Sequence, residues 1–285
     1  MLKVTELYQT YNSGKGIKDI SFELKKGEIL GIVGLNGAGK STLISCLIGF
    51  LKYKSGQIEY DFNGEKYNKI SPNLLDKIGI VTSDYGYPEH FTAKHVSNIM
   101  SSTYKNWDKN RFFEILEFLE LDKSLKTDKY STGMKTKLAI AIALSHHAKL
   151  LILDEATRGL DIKASKVVRE LLYDYVASGD NSIILTSHIL GEVERMSDSI
   201  MFIENGSVHF HKDKSEVIYE NQIFEISKDD LGKINKNDLV KFKRTDLSIF
   251  AIVKNPKMFS EKYNSKSIDS SLNTAIEILL EGECF

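Results

Sequence analysis

This sequence has little of what staples a chain together, breaks it or carries it through a membrane. Cysteine occurs twice in 285 residues, at Cys46 and Cys284. Two thiols so far apart exclude a disulfide framework and suit a reducing compartment, and Cys46 reads as a small core residue. No apolar stretch approaches the ~20 residues that span a bilayer; the run Leu138 to Leu144 is far too short. The opening Met1-Leu2-Lys3-Val4-Thr5-Glu6 is too polar for a signal peptide. Neither sign of charge dominates, and a formal net charge of −1 gives no general pull toward nucleic acid or acidic lipid. Proline and arginine are scarce beside lysine, asparagine and isoleucine, as in proteins from AT-rich bacterial genomes. No internal repeat or low-complexity tract is present. The remainder, 42% hydrophobic and 27% charged, is ordinary for a globular protein. Its length suffices for one large domain or one domain with an extension. The expectation is a cytoplasmic chain that reaches any membrane through a partner.

What is present is a glycine loop of definite chemistry. Gly34-Leu35-Asn36-Gly37-Ala38-Gly39-Lys40-Ser41-Thr42 fits the P-loop pattern G-x-x-x-x-G-K-[ST] from Gly34 to Ser41. Apolar Glu28 to Val33 precedes it as a buried strand, and Thr42 to Ile48 follows as a helix opening at the loop. Strand, glycine loop and helix N-terminus together aim successive N–H groups at a polyphosphate. Glycine lets the backbone turn and approach phosphate oxygens without a Cβ clash. Gly34, Asn36, Gly37, Ala38, Gly39, Lys40, Ser41 and Thr42 are therefore the candidate nucleotide contacts. Lys40 supplies a charge to the β- and γ-phosphates, and the Ser41 hydroxyl is placed for Mg²⁺.

Such a site needs an acidic partner. Leu150-Leu151-Ile152-Leu153-Asp154-Glu155 ends a hydrophobic strand in two carboxylates. Asp154 would hold Mg²⁺ through its water shell, and Glu155, one residue further, would orient and polarise an attacking water. Around these motifs, residues 1–33 alternate in the β manner, and Gly56 to Phe62 with Asn63-Gly64 reads as a strand and tight turn. Lys77 to Val81, Lys149 to Leu153 and Ser182 to Thr186 read as further strands, and Ser165 to Val176 as a helix. Residues 92–145 switch to helical spacing. Strands alternating with helices after a P-loop imply an α/β sheet with its ligand at the strands' C-terminal ends.

At this point the chain resembles the nucleotide-binding subunit of ABC transporters, over about residues 1–210. Tyr130-Ser131-Thr132-Gly133-Met134 stands where that family carries its signature. Arg158-Gly159-Leu160-Asp161 resembles its D-loop and Thr186-Ser187-His188 its H-loop, while Tyr11 stands near the position of an adenine-stacking aromatic. The order P-loop, signature, acidic strand, D-loop and switch histidine is matched in full. The resemblance implies an ABC ATPase core at 1–211 with an antiparallel β N-terminal subdomain and an inserted helical signature subdomain at about 92–145. Residues 212–285, mixing Lys, Asn and Asp with short β-like runs, read as a small C-terminal α+β extension. The resemblance further implies a head-to-tail dimer in which Ser131 and Gly133 close on ATP held by the partner. Asp161 then communicates between the two sites, and His188 senses the γ-phosphate beside Glu155.

Several positions depart from the family. Ser83 falls where it has a Gln, and Asp84 is the nearer chemical substitute as an oxygen ligand. The segment from Tyr85 to Phe91 should face a membrane partner. Thr132 and Met134 replace a common Gly and Gln, as in subunits resembling those of bacterial drug and peptide exporters. Ala156 replaces a frequent proline, which loosens the turn. His146 and His147, adjacent on a helix, cannot easily share one metal and read as the end of the signature helix. Trp107 reads as an anchor of the helical subdomain, and Lys241-Phe242-Lys243-Arg244 as a solvated strand face.

The implied function is ATP binding and Mg²⁺-dependent hydrolysis at a dimer interface, powering a separate transmembrane permease, with export as the expected direction. The partner ATPase is a second copy or a close relative, and no nucleic acid is expected. A soluble ABC ATPase acting on ribosomes or DNA, and a nucleotide-gated regulator, are the alternatives. One ATPase domain, about ninety residues between P-loop and signature, and near-zero charge weigh against the first. Glu155 and His188 weigh against the second.

Overall fold

The computed structural model describes residues 1–82, 88–157, 159–187, 190–268 and 272–283. By internal packing the chain divides into two units: Met1–His188 with Met196–His211, and Ile189–Arg195 with Lys212–Phe285.

In the first unit, alternation of apolar and polar residues produces an antiparallel sheet with one buried face. β1 (Leu2–Thr10) buries Leu2, Val4 and Leu7 and leaves Lys3 and Thr5 exposed. It lies between β2 (Gly16–Leu24) and β4 (Ser55–Phe62), with β5 (Glu65–Tyr67) at the edge. β4 and β5 are joined by Asn63-Gly64, both at positive φ (59° and 93°), as a tight hairpin turn demands.

The second sheet begins with β3 (Ile29–Val33), buried at every position. Unbroken apolar runs of this kind belong to parallel strands covered on both faces. Its order is β10-β9-β3-β8-β7-β6, where β6 is Ile78–Val81, β7 Leu150–Asp154, β8 Ser182–Thr186, β9 Ser199–Glu204 and β10 Ser207–Asp213. β3 pairs in parallel with β8 and β9, and β7 with β6 and β8. The loop after β3 feeds α1 (Lys40–Leu47), whose Leu43, Ile44 and Leu47 join residues of both sheets in one core. The C-terminal ends of β3, β7 and β8 consequently meet beside the α1 N-terminus. Cys46 is buried in that core, which pushes its thiol up to about 11.

After the short α2 (Pro72–Leu75), the helical segment holds α3 (Ala93–Thr103), α4 (Lys109–Phe118) and α5 (Thr132–Leu144). Trp107 anchors it: the indole N–H donates to Ser97 Oγ at 3.1 Å and the ring packs against Phe112. The histidine pair lies past α5 rather than within it. Ser145 caps the helix, and His147 turns the chain at φ 53°. His146 is buried there, stacked on Tyr104 with centroids 3.9 Å apart. α6 (Ile162–Val176) follows, and α7 (Leu190–Met196) belongs to the second unit for all but its last residue. Among the described residues, no helix is long and apolar enough to cross a membrane.

In the second unit, β11 (Ile223–Ile226), β12 (Leu239–Arg244) and β13 (Ile249–Val253) form an antiparallel sheet of order β11-β13-β12. α8 (Lys214–Glu220), α9 (Pro256–Tyr263) and α10 (Leu272–Glu281) accompany it, and Phe224, Phe242 and Phe259 fill its core. The basic run on β12 is not simply solvated. Lys241 donates to the Leu279 carbonyl, Lys243 pairs with Glu277 at 2.5 Å, and Arg244 lies 3.5 Å from Glu283. Phe242 between them is buried. Strand alternation puts Lys241 and Lys243 on one face, where the α10 segment supplies acceptors, while Arg244 shares the other face with Phe242 and lies over its ring.

Candidate nucleotide site

The loop between β3 and α1 turns on glycines at positive φ. Gly39 caps α1 at φ 114°, and a Cβ there would sit 2.9 Å from the Gly16 carbonyl oxygen. Gly37 adopts φ 81° with open space around it, so its demand is conformational alone. Lys40 is only 8% exposed. Its ammonium donates to the carbonyls of Gly34 at 2.6 Å and Leu35 at 3.1 Å. Burial lowers the pKa of Lys40, while the charges of Glu155 and Asp154 act to raise it. The cation therefore feels the acid pair directly.

Loop and acid pair share one cavity of about 290 Å³. Its lining comprises Tyr11, Ser13, Lys15 and Gly16; Asn36, Gly37 and Gly39 to Thr42; and Asp154 with Glu155. Tyr11, Ser13 and Lys15 lie on the turn between β1 and β2 and Gly16 begins β2, so both sheets' connections build the cavity. Gly34 and Ala38 stand behind it. The Gly34 carbonyl receives Lys40, and the Ala38 carbonyl receives the Gly206 N–H at 2.9 Å.

Asp154 ends β7 directly opposite Thr186 of β8. The Thr186 hydroxyl donates to Asp154 Oδ1, and the Glu155 N–H reaches the Thr186 hydroxyl at 3.3 Å and carbonyl at 3.1 Å. Glu155 itself sits at φ 54°. For a non-glycine residue this left-handed geometry costs roughly 1–3 kcal/mol and persists only where the surroundings impose it. Ser41 and Asp154 bring a hydroxyl and a carboxylate oxygen to the same cavity. That is the donor chemistry of a hard divalent cation that keeps most of its waters.

The signature and D-loop residues lie elsewhere. Ser131 caps α5, accepting from the Met134 N–H at 3.2 Å, and Gly133 packs in the first turn of that helix. Asp161 caps α6 through the Ala164 N–H at 2.7 Å. It lines a separate small cleft with Glu120, Lys137 and Lys163. Both motifs thus open helices, but neither lines the cavity of their own chain. His188, Ser83, Asp84 and Tyr85 lie outside the described residues. Of the segment running to Phe91, residues 88–91 are fastened to the turn before the signature. Thr127 donates through its hydroxyl to Pro88 O and through its N–H to Phe91 O.

Sequence reading did not identify Ser13, Lys15 or Gly16 as part of the site, and it named Thr186 only as the first residue of the H-loop stretch. Gly14-Lys15-Gly16, a lysine between glycines just after Tyr11, was the available signal for the first three. For Thr186 it was the hydroxyl ending an otherwise apolar strand.

A P-loop and an acid pair at the C-terminal edge of a parallel sheet define a nucleotide-binding P-loop protein. Known proteins narrow this. The family described as ABC transporter matches residues 17–158. The chain is 37% identical over 210 residues to the bacitracin transport ATP-binding protein BcrA of Bacillus licheniformis, covering 73% of this chain and 68% of that one. It is 29% identical over 263 residues to the ABC transporter ATP-binding protein YtrB of Bacillus subtilis, covering 92% and 89%. A solved ATP-binding subunit of an ABC transporter superposes with a TM-score of 0.68 at 26% identity, over 77% of this chain and 92% of the other. The chain belongs to the ABC transporter family, as one of its ATP-binding, ATP-hydrolysing subunits.

Proposed function

We propose that this subunit hydrolyses ATP between two such cassettes and so drives a separate transmembrane permease that exports its cargo. The observation carrying this reading is the shared cavity, which brings Lys40 and the loop residues together with Asp154 and Glu155. In it, the P-loop and Lys40 bind the phosphates, and the Tyr11 ring stacks on the base. Ser41 and Asp154 would hold Mg²⁺, which supplies charge neutralisation at the β- and γ-phosphates. Glu155 orients the attacking water and takes up its proton, with His188 at the γ-phosphate.

Ser131, Gly133 and Asp161 serve the partner's nucleotide, which fits their position outside the cavity of their own chain. The partner is a second copy or a related ATPase, and the pair works on the cytoplasmic face of the membrane through the permease. Residues 1–211 act as the ATPase domain and 212–285 as an extension. Likeness to a bacitracin transport protein supports export and a peptide-like cargo.

The test is Glu155→Gln, tagged and recovered with ATP from gently solubilised native cells. Hydrolysis should fall by about 10²–10⁴-fold, with an ATP-bound dimer and a polytopic membrane protein co-enriching. Undiminished hydrolysis removes the role of Glu155. Recovery with ribosomal or DNA-bound proteins instead removes the transport reading.

A further inference from the structure

We propose that Thr186 is a positioning residue for hydrolysis, fixing both members of the acid pair through one hydroxyl. This rests on the reading of Asp154 and Glu155 as that pair.

Thr186 is the last residue of β8, 2% exposed, in register with Ile32 of β3 on one side and Asp154 of β7 on the other. Strand pairing therefore sets its backbone between the phosphate-loop strand and the acidic strand. A threonine hydroxyl has one proton to give and lone pairs to accept. Here the proton goes to Asp154 Oδ1, and the oxygen accepts from the Glu155 N–H at 3.3 Å. The Thr186 carbonyl takes the same N–H at 3.1 Å.

Two consequences follow. One oxygen of the Asp154 carboxylate is committed to Thr186, which sets the rotation of that carboxylate toward the cavity. The Glu155 amide is held from two sides, where the backbone takes its left-handed turn at φ 54°. The aim of the Glu155 side chain depends on that turn. β-Branching restricts χ1, which narrows the directions open to the hydroxyl.

The clamp is tested on the purified full chain with Thr186→Val, Thr186→Ser and Glu155→Gln as reference. Valine keeps the branched shape and deletes the hydroxyl; serine keeps the hydroxyl. Thr186→Val should lower kcat about 10- to 100-fold, the scale of a small misplacement of reacting groups, with KM for ATP little changed. Thr186→Ser should recover most of the rate. The rise in Tm on adding ATP in EDTA should match wild type in all three, whereas the further rise on adding Mg²⁺ should shrink in Thr186→Val. The proposal is overturned by wild-type turnover in Thr186→Val, or by equal losses in the serine and valine variants. Loss of the Tm rise in EDTA would overturn it too, since that marks damage to the whole phosphate loop. If Glu155→Gln is inactive while Thr186→Val turns over normally, the clamp alone fails. If Glu155→Gln is itself fully active, the acid-pair reading fails and the clamp with it.

Discussion

Gly133 and Gly159 meet backbone to backbone: a Cβ on Gly133 would lie 2.3 Å from the Gly159 carbonyl oxygen. The contact ties the first turn of α5 to the turn between the acid pair and α6. It is tight in the other direction as well, because a Cβ on Gly159 would come 3.0 Å from the Thr132 side chain, and Gly159 has φ 77°. Gly159→Ala therefore combines a strained backbone, costing about 1 kcal/mol, with overpacking against Thr132, costing about 1–3 kcal/mol. The expected loss is roughly 2–4 kcal/mol. Adding Thr132→Gly should return the part of the packing cost due to that side chain, and leave the backbone strain and the 3.1 Å approach to the Gly133 nitrogen. A double-mutant cycle by urea unfolding measures this coupling, and additive effects would mean that the two side chains do not compete for space.

Lys40 separates function from stability. Its ammonium is buried at a desolvation cost and held by the carbonyls of Gly34 and Leu35. Lys40→Met keeps the length and deletes the charge. Losing one or two charge-assisted hydrogen bonds to phosphate, about 1.5–3 kcal/mol each, should weaken ATP binding by at least about tenfold. The nucleotide-free Tm should stay level or rise, since no charge then needs desolvation. Calorimetric titration and thermal melts check the two halves. Wild-type ATP affinity would remove Lys40 from the site.

The division between what sequence shows and what it hides runs through these same residues. Gly37, Gly39, Lys40 and Ser41 were legible because a phosphate loop is a local object. Its glycines answer to φ, and its lysine and hydroxyl follow at fixed spacing. Asp154 and Glu155 were legible as carboxylates ending an apolar strand, and Ser131 through the signature stretch that contains it. Lys15 and Gly16 were not, because they reach the cavity from the other sheet. Thr186 was not, because its meaning depends on register with Asp154, and register is a property of paired strands. The Gly133–Gly159 contact and the pairing of Lys241 and Lys243 with the α10 segment were hidden for the same reason. Each joins residues distant in sequence. Segment Ile189–Arg195, continuous in sequence with the H-loop, packs with the C-terminal unit instead.

His146 gives the first unit a defined response to acid. The ring is buried, with Nδ1 3.1 Å from the Ile142 carbonyl and Nε2 3.2 Å from the Ile78 carbonyl. Burial lowers its pKa from the ordinary value near 6.5 and outweighs the two carbonyls, which favour the charged ring. In the folded state the ring thus stays neutral at a pH where the unfolded chain has taken up a proton. Above about pH 6.5 both states are neutral and this group adds no pH dependence. As pH falls from there toward the folded-state value, the unfolded state binds more protons and stability is lost, with a slope of up to about 1.4 kcal/mol per pH unit. His146→Phe can retain stacking on Tyr104 but neither titrates nor donates to the carbonyls. It should be less stable than wild type at pH 7.5, and its stability should fall less between pH 6.5 and 5. Urea unfolding of both proteins across that range measures the difference, and parallel profiles would show that His146 does not set the acid response.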